Sequence, residues 1–174
     1  MAAMSLLQCL FATKSDPREA LRPLWQAVVD EARRPEWYAR LGAVDTVAGR
    51  FDMVTAVLSA VLVRMEVRPA LAAPSVMLTE LFVQDMDGQL REFGVGDPVV
   101  GKHVGELVGA MGGRLEAYRA GLAGDDAALA EAVRRNLTLR DEADAEPVAA
   151  GLRAFAGRLS RTADDDLLAG EIAA

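Results

Sequence analysis

The chain has one cysteine and one histidine in 174 residues. Cys9 alone excludes an internal disulfide and a cysteine-based zinc site, and reads as an ordinary small apolar residue. His103 alone leaves little room for imidazole catalysis or a histidine metal centre. Aromatic residues are few and runs of β-branched residues are scarce, which together with abundant alanine disfavours sheet and favours helix. Basic residues are outnumbered 19 to 26, for a net charge of −7. Direct nucleic-acid binding needs a basic face, and an anionic bilayer would repel such a chain. The longest apolar run, Met53 to Val63, is closed by Asp52 and Arg64 and falls short of the ~20 residues of a membrane span. The first residues, MAAMSLLQCLFATKSDP, lack the basic start of a signal peptide. A soluble, cytoplasmic protein is expected.

What the sequence does contain is helical punctuation. Asp16-Pro17 combines a capping acceptor with proline at the first helical position. Leu21, Leu24, Trp25, Val28 and Val29 follow at helical spacing as far as Arg33-Arg34. Pro35 restarts a short helix bearing Trp37, Tyr38 and Leu41, which Gly42 ends. The segment from about Arg50 to Glu66 is apolar nearly all round and predicts the central buried helix. Pro69 and Pro74 mark a break or a first turn, and Ser75 is expected to cap a helix running to about Phe93. Gly94 and Gly96 stop it, and Asp97-Pro98 opens a long helix to about Leu122. Asp125 or Asp126 caps the next, Pro147 starts another after an acidic linker from Asp141 to Glu146, and Asp164-Asp165-Asp166 caps a last turn before a fraying end. No segment reads as a strand. The expectation is an all-α, single-domain helical bundle: an N-terminal arm over 1–15, a helical domain over 16–140, and an acidic linker with C-terminal helices over 141–174 packed on it.

Three stretches invite chemistry. Gly96-x-x-x-x-Gly101-Lys102 has the outline of a phosphate-binding loop, and with it an enzyme or nucleotide-driven switch. The context is wrong: a helix precedes it, His103 stands where a hydroxyl should hold magnesium, and Pro98 removes a backbone donor. Helix capping accounts for Gly94, Gly96, Asp97 and Pro98 together. Asp85-x-Asp87-Gly88 starts like a calcium loop but sits inside a periodic helix, so no metal is expected there. Asp85 falls on the flank of that helix's apolar stripe, where a carboxylate needs a cation; Arg50 or Arg64 are the expected partners. Gly101, Gly105, Gly109 and Gly112 share one sector of the long helix, beside the stripe of Val100, Val104, Leu107, Val108, Met111, Leu115 and Tyr118. Interior glycines each cost a helix up to ~1 kcal/mol. A smooth face of this kind lets another helix approach closely, either the Arg50–Glu66 helix of the same fold, which is favoured, or a client helix.

Arg33-Arg34-Pro35-Glu36-Trp37-Tyr38, Asp45-Thr46-Val47-Ala48-Gly49-Arg50-Phe51-Asp52-Met53, and Phe82 to Asp97 with Val100-Gly101-Lys102 form a longer pattern. From about residue 17 to about 140 the chain resembles the ubiquinol–cytochrome c chaperone family. The resemblance implies a non-enzymatic, all-helical assembly factor without a cofactor. Its partners would be newly made cytochrome b or another bc1 subunit, with a small helical co-chaperone. A cytoplasmic protein of this kind would be peripheral at the inner face of the inner membrane, touching the membrane only through its client. Gly49, Arg50, Asp52, Asp85, Asp87, Arg91, Gly94, Gly96, Asp97, Gly101 and Lys102 carry the pattern and are carried over as fold- or partner-determining positions. Arg50, Asp52, Asp85, Asp87, Arg91, Lys102, Gly105 and Gly109 are the candidate partner-binding residues. The chain departs from the family at Val99 and at His103-Val104-Gly105-Glu106. Beside the chaperone stand two other readings, the nucleotide switch on Gly96 to Lys102 and a generic helical adaptor.

Overall fold

The computed structural model describes residues 16–92, 97–141 and 144–174, with the backbone alone over 89–92 and 97–108. Its helices are α1 (Arg22–Ala32), α2 (Val47–Glu66), α3 (Ala72–Glu92), α4 (Asp97–Ala123), α5 (Asp126–Asn136), α6 (Ala145–Arg161) and α7 (Asp164–Leu168). No strand occurs among the described residues; a single antiparallel bridge joins Ala43 to Leu139. The all-α bundle expected from the sequence is what forms.

α2 is the axis of the bundle. It packs against α1, α3, α4 and α6, and twelve of its residues, from Gly49 to Met65, are buried. A helix without a polar face can be satisfied only by neighbours on every side. The expected stripes face this axis: Leu24, Trp25 and Val28 of α1, Leu78, Phe82 and Met86 of α3, and Met111 and Tyr118 of α4. On the far side, Leu129 and Val133 of α5 and Leu152, Phe155 and Leu159 of α6 complete the core.

Helix starts follow their signals only in part. α2 opens at Val47, ahead of Arg50. α6 opens at Ala145, ahead of Pro147, which the first turn admits because its N–H groups need no helical partner. α7 follows Ala163 with no side-chain cap, Asp164 being taken by Arg64 and Arg68. Asp16 accepts from the Arg18 N–H, Thr46 from the Gly49 N–H and Asp125 from the Ala128 N–H. Ser75 does not cap α3. The turn Pro69–Leu71 already winds the chain into the helix, which opens at Ala72, and Ser75 Oγ donates to the Ala72 carbonyl instead. Proline at the first position of that turn presets the φ from which the helix winds, which leaves Ser75 inside α3 rather than at its start. Nor does the C-terminus fray: Ala173 N–H donates to Thr162 Oγ1, and Arg161 donates to the Ala174 carbonyl.

Two arginines close helix ends, where the last carbonyls have no partner of their own. Arg64 of α2 donates to the carbonyls of Leu159 and Thr162 at the end of α6 and pairs with Asp164 at 2.7 Å. Arg153 of α6 donates to Gly121, Leu122, Gly124 and Asp125 carbonyls at the end of α4. Glu31, 9% exposed, is held by Arg34 and by Arg158 of α6.

Candidate functional site: a polar cleft between α1 and α2

The stretch RRPEWY acquires a physical reason at the end of α1. Trp37 Nε1 donates to the Glu31 carbonyl at 2.8 Å and Tyr38 Oη to the Ala32 carbonyl at 2.7 Å, so two aromatic donors satisfy the helix terminus. These aromatics sit on a single π-helical turn, Trp37–Leu41. Gly42 ends it with φ 109°, and the Gly42 N–H returns to the Trp37 carbonyl. A left-handed residue here favours glycine, and a Cβ would also strike Asp144.

The second stretch, DTVAGR, then turns back to face the first. Gly49 is required by proximity: a Cβ would stand 2.0 Å from the Val44 carbonyl oxygen. The loop is held from the other end of the chain, by Val44 N–H to the Thr138 carbonyl at 3.0 Å and Arg140 N–H to the Gly42 carbonyl at 2.9 Å. Between the two stretches lies a cleft of about 370 Å³, lined by Arg33, Pro35, Tyr38, Ala39, Asp45 and Arg50. Arg50 Nε meets Asp45 Oδ1 at 2.6 Å in an exposed pair, which holds the Asp45 carboxyl below its usual range. Burial pushes the Tyr38 hydroxyl up, against the nearby charge of Arg50.

Asp52 is internal. Its Oδ1 meets Arg114 of α4 at 2.8 Å, and its Oδ2 accepts from the Thr138 N–H at 3.0 Å and the Thr138 hydroxyl at 2.7 Å. Arg114 continues to Thr55 Oγ1 and lies 5.2 Å from the Phe51 ring centroid. Of the two roles the sequence left open for Asp52, this geometry is the fold-determining one. It ties α2, α4 and the 138–140 loop at one point.

Asp85 does not pair with Arg50 or Arg64. Its Oδ2 accepts from Trp25 Nε1 at 2.6 Å, and its Oδ1 lies 3.5 Å from Arg22. The donors come from α1 because that helix, not α2, lies along the Asp85 flank of α3. Trp25 and Phe51 both pack on Phe82, at centroid separations of 6.1 and 6.2 Å. Asp87 is half-buried and has an interaction of its own. The side chains of Arg91, Lys102 and His103 lie outside the described residues, as do Gly94 and Gly96 and the surroundings of Gly101 and Gly105.

The favoured internal role of the glycine face is not met where it is described. Gly109 and Gly112 are exposed, and a Cβ on either would meet nothing within 4 Å. The helix turns Met111 and Tyr118 to the core instead. As for the phosphate loop, the element before it is the helix α3 and Asp97 begins another helix, an arrangement without the strand such a loop follows. Among the described residues no cluster of ligating side chains is placed to hold a metal ion, and no helix is long and apolar enough to cross a membrane.

The family model described as ubiquinol-cytochrome C chaperone matches residues 39–174. The chain belongs to that family. The match runs through α5, α6 and α7, beyond the point at which the sequence offered recognisable motifs. The crystal structure of the Cbp3 homolog from Brucella abortus is similar to this one, with 31% sequence identity, 97% of this chain and 95% of that chain covered, and a TM-score of 0.78. No curated protein matches the chain. The cleft residues Ala39, Asp45 and Arg50 and the Asp52 network fall inside the matched region; Arg33 and Pro35 precede it.

Proposed function

We propose that the protein is a non-enzymatic assembly chaperone of the bc1 complex that holds newly made cytochrome b. The observation that carries this reading is the family match over residues 39–174, supported by a fold shared with the Cbp3 homolog over 97% of the chain. The physical need is clear. A membrane helix outside lipid exposes apolar surface that aggregates, and a helical protein can shield it by offering a complementary face. A small helical co-chaperone would complete the pair.

Partner contact falls to Arg50, Asp87, Arg91, Lys102, Gly105 and Gly109. Asp52 and Asp85 serve by locking α2 to α4 and α1 to α3. Gly105→Leu with Gly109→Leu should then abolish client capture with the fold intact, since Gly109 has open space beside it. The decisive test is crosslinking in membranes with identification of the captured proteins, beside bc1 levels in a deletion strain. Recovery of a bc1 subunit and a fall in the complex are expected. No bc1 subunit captured, with normal complex levels, would sink the reading.

A further inference from the structure

The arginines of this chain are nearly all spent. Among the described residues each has a carboxylate partner, or in Arg161 the Ala174 carbonyl, except Arg33. Arg33 is exposed and lines the cleft with Arg50. Arg50 reaches Asp45 through Nε alone, so the forked end of its guanidinium makes no hydrogen bond among the described residues. A guanidinium fork is shaped to take a carboxylate. Three residues before Arg50, and so on the same side of α2, Val47 is 76% exposed. Pro35, Ala39 and the ring of Tyr38 supply apolar wall.

We infer that this cleft binds a carboxylate-bearing segment of a partner protein, an Asp or Glu seated on Arg33 and Arg50 with an apolar neighbour against Val47. Charge complementarity selects the occupant: within the cleft two guanidiniums, Arg33 and Arg50, stand against one carboxylate, Asp45. An anionic bilayer is a poorer fit. A bilayer would face the whole chain, of net charge −7, whereas a peptide meets the cleft alone. A cleft walled on both sides by short turns also suits a peptide better than a flat surface. The inference depends on the assembly reading only in taking the partner to be a protein.

The test uses the full chain, isotope-labelled, titrated with a capped Ala-Leu-Glu-Glu-Leu-Ala peptide and with its Gln-Gln counterpart. Amide shifts confined to residues 33–50 are expected with the acidic peptide alone. Arg33→Gln should weaken them by about tenfold, and raising salt to 0.5 M should weaken them too. Arg33 makes no side-chain bond among the described residues, so the variant's amide spectrum elsewhere should be unchanged and will report folding directly. Equal shifts with the Gln-Gln peptide, or undiminished shifts in Arg33→Gln, would overturn the inference. So would the same cleft shifts produced by phosphatidylglycerol vesicles and lost in the variant. None of these measurements contains a bc1 subunit, so a negative result leaves the assembly reading standing. Failure of membrane capture, conversely, leaves the peptide result intact.

Discussion

Replacing Asp52 with alanine should be among the most damaging single changes to this fold. Asp52 is 7% exposed and gives both oxygens to three donors: Arg114 at 2.8 Å, and the Thr138 amide and hydroxyl at 3.0 and 2.7 Å. The cost comes less from the bonds lost than from the donors left behind. A largely buried guanidinium loses its counter-charge, and the backbone N–H of Thr138 has no other acceptor among the described residues. Breaking a buried pair from one side costs ~3–5 kcal/mol, but Arg114 is 21% exposed and keeps Thr55 Oγ1 and the Phe51 ring, so the lower end applies. At about 2–4 °C per kcal/mol for a chain of this size, the melting temperature should fall by about 6–12 °C. Asp52→Asn retains an acceptor for Thr138 and should lose about half as much. Thermal unfolding followed by circular dichroism at 222 nm reads both. A cycle with Arg114→Met should return a coupling of at least ~1 kcal/mol. A fall of under ~1 °C in Asp52→Ala, or a coupling near zero, would refute the claim that this carboxylate holds α2, α4 and the 138–140 loop together.

Other expectations are as specific. Gly49→Ala pushes a methyl into the Val44 carbonyl, 2.0 Å away, and should cost about 2 kcal/mol in chemical unfolding while displacing the loop that carries Asp45. Gly109→Ala fills open space and removes a flexible residue, so it should stabilise by up to ~1 kcal/mol; a destabilised variant would mean that the face is packed after all. Arg64→Lys keeps the charge but loses the fork that reaches Leu159, Thr162 and Asp164 together, and should cost ~1–2 kcal/mol, read by urea denaturation. In acid, Arg18 holds the Asp16 carboxyl at about 2, against its ordinary 3.8, and Arg64 and then Arg68 hold Asp164 low. Folded values below unfolded ones mean that this stabilisation is complete above pH ~4 and is lost as pH falls towards ~2. Melting temperatures of Asp16→Asn and Asp164→Asn should therefore converge on the parent's across that window, and parallel curves would contradict the assignment.

The parts of the fold that were legible in the sequence are those in which local chemistry decides. α2 declared itself because its apolar residues leave no face for water, and the caps at Asp16 and Asp125 act within three residues of themselves. Ser75 misled because the Pro69 turn starts the winding earlier. The partner of Asp85 was out of reach for another reason. Trp25 lies 60 residues away, and whether α1 or α2 flanks α3 is set by global packing. The cleft was half visible: both of its stretches stood out as patterned sequence, but their meeting depends on one left-handed glycine and a π-helical turn, for which periodicity gives no signal.

The Val44–Thr138 and Gly42–Arg140 bonds bear on when the cleft comes into being. Its lining residues are all made by position 50, yet the loop bearing Asp45 is pinned by residues more than ninety positions later. A ribosome must have passed α5 and residue 140 before that wall can set, because the residues that pin it do not exist until then. A half-synthesised chain has the arginines but not the shape. The cleft thus takes shape only after residues 138–140 have been made, and truncation before residue 138 should remove it while leaving every residue that lines it in place.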